Sequence, residues 1–525
     1  MPVLLRLLAG LACLCAAGFA AAQPQVAVPS PEAIDAAVRE VVARYQLPGI
    51  AVGVVADGQV LYRGTFGETR VGSGDPITVH TQFKIASNSK AFTAALLARL
   101  VQQGRLRWED PVVRHLPGFA MADPWVTRHI TVRDLLVHNS GLAEGGGDLM
   151  LWPEPNLFTR ADIVRGVRHI PLAYDFRAGY AYDNLLYVVA GEVAAAVGGA
   201  SYEDLLRREV FAPLGLDGCR VGAFALADAG SVAQPHARRD GRNVPTRPDP
   251  AQVPESAAAA AGGIRCDLEA MLAWLRNWLA PEAAQLQWLG PEQRAQMLRA
   301  HTPMPVPVLR RRWDNTHVLA YGLGLRLADA DGQWTVSHTG TLGGMYSMLL
   351  MLPDARSGFV FMINGDAGQA RSVLGEVLLK LFTAPARSLG VAGYADELAH
   401  PAAAPAGSPA AAVPDIARRV AATPAQLRPW LGRWRDPWFG EVALCPAGDG
   451  VEWRSAKSPR MHGRVGLLDG RYVVKWDDEA VDEDPVLLFA RTSGRPLLRM
   501  QRLNPAGDTS SDYEHLRFVR VGGCR

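Results

Sequence analysis

Phe83-Lys84-Ile85-Ala86-Ser87-Asn88-Ser89-Lys90 is the stretch on which the reading of this 525-residue chain turns. Ser87 and Lys90 are three positions apart, so at a helix start they lie on one face. There the hydroxyl sits where backbone N–H groups favour negative charge. A serine hydroxyl is a poor nucleophile until a base removes its proton, and a neutral amine can do that. Arginine cannot, because it stays protonated at any relevant pH. The chain holds 54 basic residues, yet only Lys84, Lys90, Lys380, Lys457 and Lys475 are lysines. A lysine at this spot is therefore informative. Alone, Ser-x-x-Lys also describes an ordinary surface helix start, so support has to come from elsewhere in the sequence.

Two further elements supply it. Tyr180-Ala181-Tyr182-Asp183-Asn184 follows the turn at Gly179 and precedes a helical run from Leu185 to Val197. A Tyr-x-Asn element offers a phenol to shuttle a proton and an amide to orient a substrate or the lysine. By itself Tyr182 is more often a packed aromatic. His338-Thr339-Gly340-Thr341 ends a strand and leads into Leu342-Gly343-Gly344, whose small residues would let a substrate backbone lie close to the strand edge.

These three elements, in this order and at these separations, resemble the serine β-lactamase and penicillin-binding-protein superfamily. Within it, the Tyr-x-Asn element is similar to that of class C β-lactamases, D-alanyl-D-alanine carboxypeptidases, D-aminopeptidases and related esterases. Leu135 to Leu142, Pro213 to Leu216 and Tyr321 to Gly324 add to the likeness, which covers about residues 31 to 385. The resemblance implies Ser87 as the acylated nucleophile, Lys90 as its base, Tyr182 as proton relay and Asn184 as the group that positions the acyl amide. It also implies an oxyanion hole from the backbone N–H groups of Ser87 and Thr341, with His338, Thr339 and Gly340 on the substrate-binding strand. His338 stands where many members have a lysine that helps hold a β-lactam carboxylate. A histidine is mostly neutral near pH 7, so that grip should weaken. In the family a His-x-Gly element is typical of carboxypeptidases and D-aminopeptidases. The expected activity is therefore hydrolysis of small or D-residue-containing peptides or amides. A β-lactamase or carboxylesterase using the same machinery is the alternative, and a non-catalytic muropeptide- or β-lactam-binding sensor is a second one of another class. No Gly-x-Ser-x-Gly occurs, which disfavours an α/β-hydrolase.

Outward from these motifs, apolar spacing predicts an amphipathic helix over Ile34 to Tyr45 and a β-hairpin from Ile50–Val55 and Gln59–Tyr62 across Asp57-Gly58. A helix carrying Phe92, Leu96, Leu97 and Leu100 should follow Ser87. The middle, about 105 to 300, alternates helices with loops, one of them marked by Glu144-Gly145-Gly146-Gly147 before Leu151, Trp152, Pro153 and Phe158. Strands are expected at Tyr321–Leu327, Trp334–Ser337, Tyr346–Leu352 and Gly358–Asn364, then a helix from about Gln369 to Phe382. The fold class is thus α/β plus all-α, a β-lactamase/transpeptidase-like antiparallel sheet flanked by helices with an inserted helical block. The hydrolase domain is placed at 23–390.

Pro401 to Pro414 is nearly all Ala, Pro, Gly and Ser and reads as a linker, placed at 391–423. Beyond it, 424–525 carries aromatic-rich β-type runs around Trp430, Trp434, Trp453, Tyr472–Trp476 and Leu487–Phe489, a small all-β barrel-like domain. It resembles the lipocalin-like domain appended to some of these peptidases, including an archaeal octameric one, so a homo-oligomer stays open. This domain is expected to supply no catalytic group, and a chain ending near Pro401 to stay folded and active on a small ester.

Residues 1–22 read as an export signal: Arg6, an apolar run from Leu7 to Phe19, then Ala20-Ala21-Ala22. A periplasmic or secreted protein is expected. A lipoprotein anchor at Cys13 or Cys15 is disfavoured by the residues preceding each, and no later stretch reads as a membrane span. Cleavage would leave Cys219, Cys266, Cys445 and Cys524, an even count that suggests two disulfides in an oxidising compartment. Three pairings are open; if the domains close separately, Cys219–Cys266 with Cys445–Cys524 is the economical one. With 54 basic and 52 acidic residues, no charge footprint argues for nucleic acid. The twelve histidines are scattered without HExxH, so no metal or other cofactor is expected; the partner is a small-molecule or peptide substrate.

Overall fold

The computed structural model describes residues 26–400 and 413–524. The expected signal segment and most of the Ala/Pro stretch lie outside these residues.

Helix α1 (Pro31–Tyr45) buries Ile34, Val38 and Val41, and the Ser30 hydroxyl caps it by accepting from the Ala33 N–H. Strands β1 (Gly49–Ala56) and β2 (Gln59–Gly67) form the hairpin, with positive φ at both Asp57 and Gly58, as a tight two-residue turn requires. Strand β2 runs five residues beyond the expected Tyr62. The inserted block contributes α2 (Ser89–Gln102), α3 (Leu185–Gly198) and α4 (Leu268–Leu279). The late strands follow: β3 (Thr302–Pro303), β4 (Leu319–Tyr321), β5 (Arg326–Ala330), β6 (Gln333–Leu342), β7 (Met345–Leu352) and β8 (Ser357–Ile363), then α5 (Gly368–Thr383) and α6 (Gly390–Ala399).

These strands form one eight-stranded antiparallel sheet in the order β3-β4-β5-β6-β7-β8-β1-β2. The N-terminal hairpin joins at β8, so the two ends of the domain build one layer. Every residue of β1 is buried because both sheet faces are covered. Ile50, Val52 and Val54 pack with α1 and α5, whereas Ala51 and Val55 face the other core. A Cβ on Gly53 would stand 2.7 Å from Leu272 of α4, so a side chain there would push the helix off the sheet.

Two expectations need correction. The single strand expected at Tyr321–Leu327 is two strands, β4 and β5, separated by a turn at Gly322–Leu325. Gly324 adopts φ +75°, and a Cβ there would lie 2.7 Å from the Lys90 carbonyl oxygen, so the turn presses on the first turn of α2. The linker expected to begin at 391 instead opens with α6, whose Val391, Tyr394 and Ala395 are buried at helical spacing. The Tyr394 ring lies 5.0 Å from that of Trp313, which makes α6 part of the hydrolase domain.

After the linker, β9 (Val420–Ala421) pairs with the strand His462–Leu468 of the second domain. That domain is β10 (Gly432–Asp436), β11 (Gly440–Ala447), β12 (Gly450–Ser455), β13 (His462–Leu468), β14 (Arg471–Trp476), β15 (Pro485–Thr492), β16 (Arg495–Arg502) and β17 (Phe518–Gly522). The order is β13-β12-β11-β10-β17-β16-β15-β14, and β13–β14 pairing closes an eight-stranded barrel without a free edge. Trp434, Trp453, Trp476 and Phe518 fill it, with Trp453 and Phe518 edge to face at 5.5 Å. Cys219 pairs with Cys266 and Cys445 with Cys524, one disulfide per domain.

The barrel packs on the helical block. Phe158 meets Phe439 at 5.8 Å, the Leu157 N–H donates to the Lys457 carbonyl at 2.7 Å, and Lys457 Nζ pairs with Asp162 at 2.6 Å. Arg460 donates to the Glu154 carbonyl and Arg247 to that of Ala480.

Candidate active site

Ser87 sits in a single 3-10 turn, Ala86–Asn88, that runs directly into α2. Ala86 holds φ +49°, a left-handed conformation costly for a residue with a Cβ, which turns the chain sharply and presents Ser87 at the surface of the cleft. The turn is pinned to the sheet: Ser347 Oγ of β7 donates to the Ile85 carbonyl at 2.8 Å and accepts from Asn88 Nδ2 at 2.8 Å. Beneath it runs β6, and a Cβ on Gly340 would stand 2.3 Å from the Ile85 carbonyl oxygen. The glycine of the third motif is thus what lets the strand approach the serine.

Lys90 is fully buried. Its Nζ stands 3.1 Å from Ser87 Oγ and donates to Asn184 Oδ1 at 2.7 Å and to the Ala261 carbonyl at 2.8 Å. Tyr182 and Tyr187 place their rings 4.9 and 5.2 Å from the same nitrogen. Burial pushes the Lys90 ammonium down to about 7, with Asp148 and Asp183 opposing and Arg326 assisting the shift. A lysine in this state is neutral for a large fraction of the time near pH 7 and can accept a proton. Burial moves the Tyr182 phenol the other way, above its ordinary value, although Arg326 and Ser87 pull against it. Tyr182 is therefore an O–H donor at neutral pH, not a phenolate.

The structure brings Ser87, Lys90, Tyr182 and Asn184 together. His338 is placed differently from the expected substrate-facing position. It is fully buried, its Nε2 hydrogen-bonded with the Tyr321 hydroxyl at 2.9 Å and its Nδ1 with the Thr339 carbonyl at 2.7 Å. Burial, with Arg326 and Lys90 nearby, holds it well below the ordinary histidine range, so it is neutral and supports the site from behind. Thr339 and Thr341 remain accessible, and Arg371 donates to the Gly340 carbonyl at 2.7 Å and Thr341 Oγ1 at 2.6 Å.

Sequence reasoning missed two residues. Arg326 on β5 is partly exposed, with Nη1 3.3 Å from Thr339 Oγ1 and its guanidinium 5.7 Å from the Tyr182 ring centre. It forms no ion pair with a carboxylate among the described residues. A positive charge thus stands beside Thr339 from the neighbouring strand, where residue 338 itself carries none. Its signal was the alternation Leu325-Arg326-Leu327, which puts the arginine on the face opposite two buried leucines. The second is Asp148, fully buried, whose Oδ2 accepts from Asn184 Nδ2 at 2.7 Å and whose pKa burial raises well above the ordinary value. An acid following three glycines and preceding an apolar run was its signal. Beside the cleft, a cavity of about 300 Å³ is lined by Trp152, Phe158, Arg247, Gly262, Leu342 and Gly343.

A buried lysine poised on a serine, a phenol and an amide around it, and a guanidinium on the neighbouring strand form an arrangement of the serine-hydrolase kind. The β-lactamase family model matches residues 34–382, and the chain belongs to that family. Among its relatives is the unguisins hydrolase ungD of Aspergillus violaceofuscus, 26% identical over 62% of this chain and 60% of that protein. Another is penicillin-binding protein 4 of Amycolatopsis lactamdurans, 28% identical over 64% of this chain and 85% of that one. The chain thus spans about 60% of the length of the first relative and 34% of a second unguisins hydrolase, from Aspergillus campestris. The fold is shared with the octameric penicillin-binding protein homologue of Pyrococcus abyssi, at TM-score 0.57 and 20% identity over 93% of this chain and 99% of that one.

Proposed function

We propose that this protein is an exported serine hydrolase that forms an acyl-enzyme on Ser87 and cleaves small peptides or amides, D-residue-containing ones included, that carry a free carboxylate. The observation that carries the reading is Arg326: an unpaired guanidinium beside Thr339, on the strand edge next to the nucleophile. A carboxylate in a cleft is best met by a planar cation with an adjacent hydroxyl.

In this reading neutral Lys90 takes the Ser87 proton as Oγ attacks the substrate carbonyl carbon. The oxyanion is met by the backbone N–H groups of Ser87 and Thr341. Tyr182, protonated at rest, passes a proton to the departing amine and is reprotonated from Lys90. Water then attacks the ester carbonyl, and its proton returns by the same groups, which frees the acid and restores Ser87. Asn184 holds Lys90 on one side and is placed to meet the acyl amide. The cavity of about 300 Å³ is the space for the acyl part. Two disulfides fit an oxidising compartment outside the cytoplasm. The shared fold of an octameric homologue makes a homo-oligomer part of the proposal.

A β-lactam also carries a carboxylate, so Arg326 equally supports a β-lactamase reading. Turnover of a D-Ala-D-Ala peptide, nitrocefin, a D-aminoacyl anilide and a p-nitrophenyl ester, read side by side, tests both. The peptide should be turned over faster than the carboxylate-free anilide. Stoichiometric labelling of Ser87 without turnover of any of the four would point to a binding protein instead.

A further inference from the structure

The loop that follows Glu144 is held from two sides. Within the hydrolase domain, the Gly145 N–H donates to the Tyr182 carbonyl at 2.9 Å, and Asp148 fixes the Asn184 amide so that its oxygen faces Lys90. From the barrel, Asp512 Oδ2 accepts from the Gly147 N–H at 2.6 Å, and the Ser510 hydroxyl stands beside the Asp148 carboxyl. The fit is close: a Cβ on Gly145, at φ +69°, would lie 2.4 Å from the Thr509 carbonyl oxygen, and one on Gly147, at φ +79°, 2.3 Å from Ile170 Cδ1. Glycine at 145 and at 147 is what this double approach requires.

The barrel loop is itself rigidly mounted. Asp512 is buried, and its second oxygen is engaged by His515 Nδ1 at 2.6 Å. Tyr513, next to it, donates to the Glu483 carbonyl at 2.8 Å from inside the barrel. Hydrogen bonds, joined by the backbone from Gly147 to Asp148, therefore lead from Asp512 to Asn184 and Lys90, with a branch from Gly145 to the Tyr182 backbone.

We infer that the barrel acts on catalysis through Asp512, which clamps the Gly145–Asp148 loop and thereby makes Asp148 and Asp512 positioning residues for Asn184, Tyr182 and Lys90. The inference rests on the serine-hydrolase reading of the site but not on any particular substrate. Among the described residues no hydrogen bond, ion pair or ring contact joins the barrel to Ser87, Lys90 or Tyr182; its contribution is orientation, and misplacement of a catalytic group by about 1 Å can cost on the order of a hundredfold in rate.

The test uses the full-length chain with a p-nitrophenyl ester, which needs no extended substrate contacts, and a fluorophosphonate probe of Ser87. Asp512→Ala should lower kcat roughly tenfold to a hundredfold and slow labelling of Ser87 in proportion, with KM for the ester little changed. Asp512→Asn keeps one oxygen to accept from Gly147 and should recover much of the loss. Asp512→Leu, of similar shape but without an acceptor for Gly147, is the decisive variant if the alanine form does not fold and should show the same loss. A folded Asp512→Ala or Asp512→Leu protein with wild-type kcat, or one in which only KM rises, overturns the inference while leaving the hydrolase reading intact. A wild-type protein that neither labels nor turns over the ester overturns both.

Discussion

Lys90 aims its Nζ at Ser87 Oγ across 3.1 Å from a position with no solvent exposure. Burial disfavours the charged amine, and the neutral amine is the form that can take the serine proton. In the proposed reaction, the burial that disfavours the charged amine is what lets Lys90 activate Ser87.

Ser87→Ala should abolish labelling by serine-directed probes and leave the thermal transition near that of the parent. Ser89 is different in kind: it is buried, and its Oγ accepts from the Ile264 N–H at 3.1 Å. Ser89→Ala strands that N–H and should cost about 1–3 kcal/mol of stability while labelling persists. Loss of labelling in the Ser89 variant with retention in the Ser87 variant would exchange their roles.

Lys90→Arg should be nearly as damaging as Lys90→Ala, about 10²–10⁴-fold in kcat, because guanidinium cannot shed its proton. With the folded-state amine at about 7, kcat/KM should rise with pH through that region as Lys90 becomes neutral. The stability sign follows separately. The folded state binds fewer protons than the unfolded chain between about 7 and about 10.4, so this group's destabilisation is full below that window and fades as pH rises through it. Lys90→Met should therefore be the more stable protein at pH 7, with the advantage shrinking towards pH 10 in denaturant titrations. An Arg variant with near-normal turnover would make Lys90 a fixed charge only.

The cluster of Ser87, Lys90 and Tyr182 was legible because the chemistry proposed for it constrains residue type and spacing along a single helix start or turn. The hairpin and α1 were legible from period alone. Arg326 was not, because its role depends on β5 pairing with β6 in the register Arg326↔Ser337, a fact about two strands and not about one. The stretch Tyr321–Leu327 also reads as one strand until the turn at Gly324 is seen against α2. His338 looked like a ligand-facing group, yet it is buried, and the Tyr321 hydroxyl and the Thr339 carbonyl engage its two nitrogens. Asp148 and the barrel contact at Gly147 join residues 365 positions apart, a separation at which spacing carries no signal.

Arg326→Met should raise KM for carboxylate-bearing peptides roughly tenfold to a hundredfold, the loss expected for a charge-assisted contact, and leave a neutral ester much less affected. Because Arg326 also helps hold Lys90 down, its removal moves the rise in activity to higher pH. The comparison is therefore made on the high-pH plateau of each protein's own profile. Equal effects on the peptide and the ester there would show that Arg326 tunes the site without binding substrate.

Removal of the barrel is the broadest test of how the two domains depend on each other. The sequence alone suggests that a chain ending near Pro401 would remain active on a small ester, since the motifs end by Thr341. The interface argues otherwise. Truncation would uncover Phe158, which packs on Phe439, and leave Asp162 without Lys457. It would also free the Gly145–Asp148 loop from Asp512 and strip Glu154 of the Arg460 contact at the edge of the cavity. Exposed aromatic surface favours association, and a loosened loop leaves Asn184 without a fixed partner. The truncated protein should bind a hydrophobic dye, elute as aggregate on size-exclusion chromatography, and hydrolyse the ester at no more than about a tenth of the full-length rate. A monodisperse truncated chain with full-length turnover would mean that the barrel serves only substrate choice or assembly, and the dependence drawn from these contacts would be wrong.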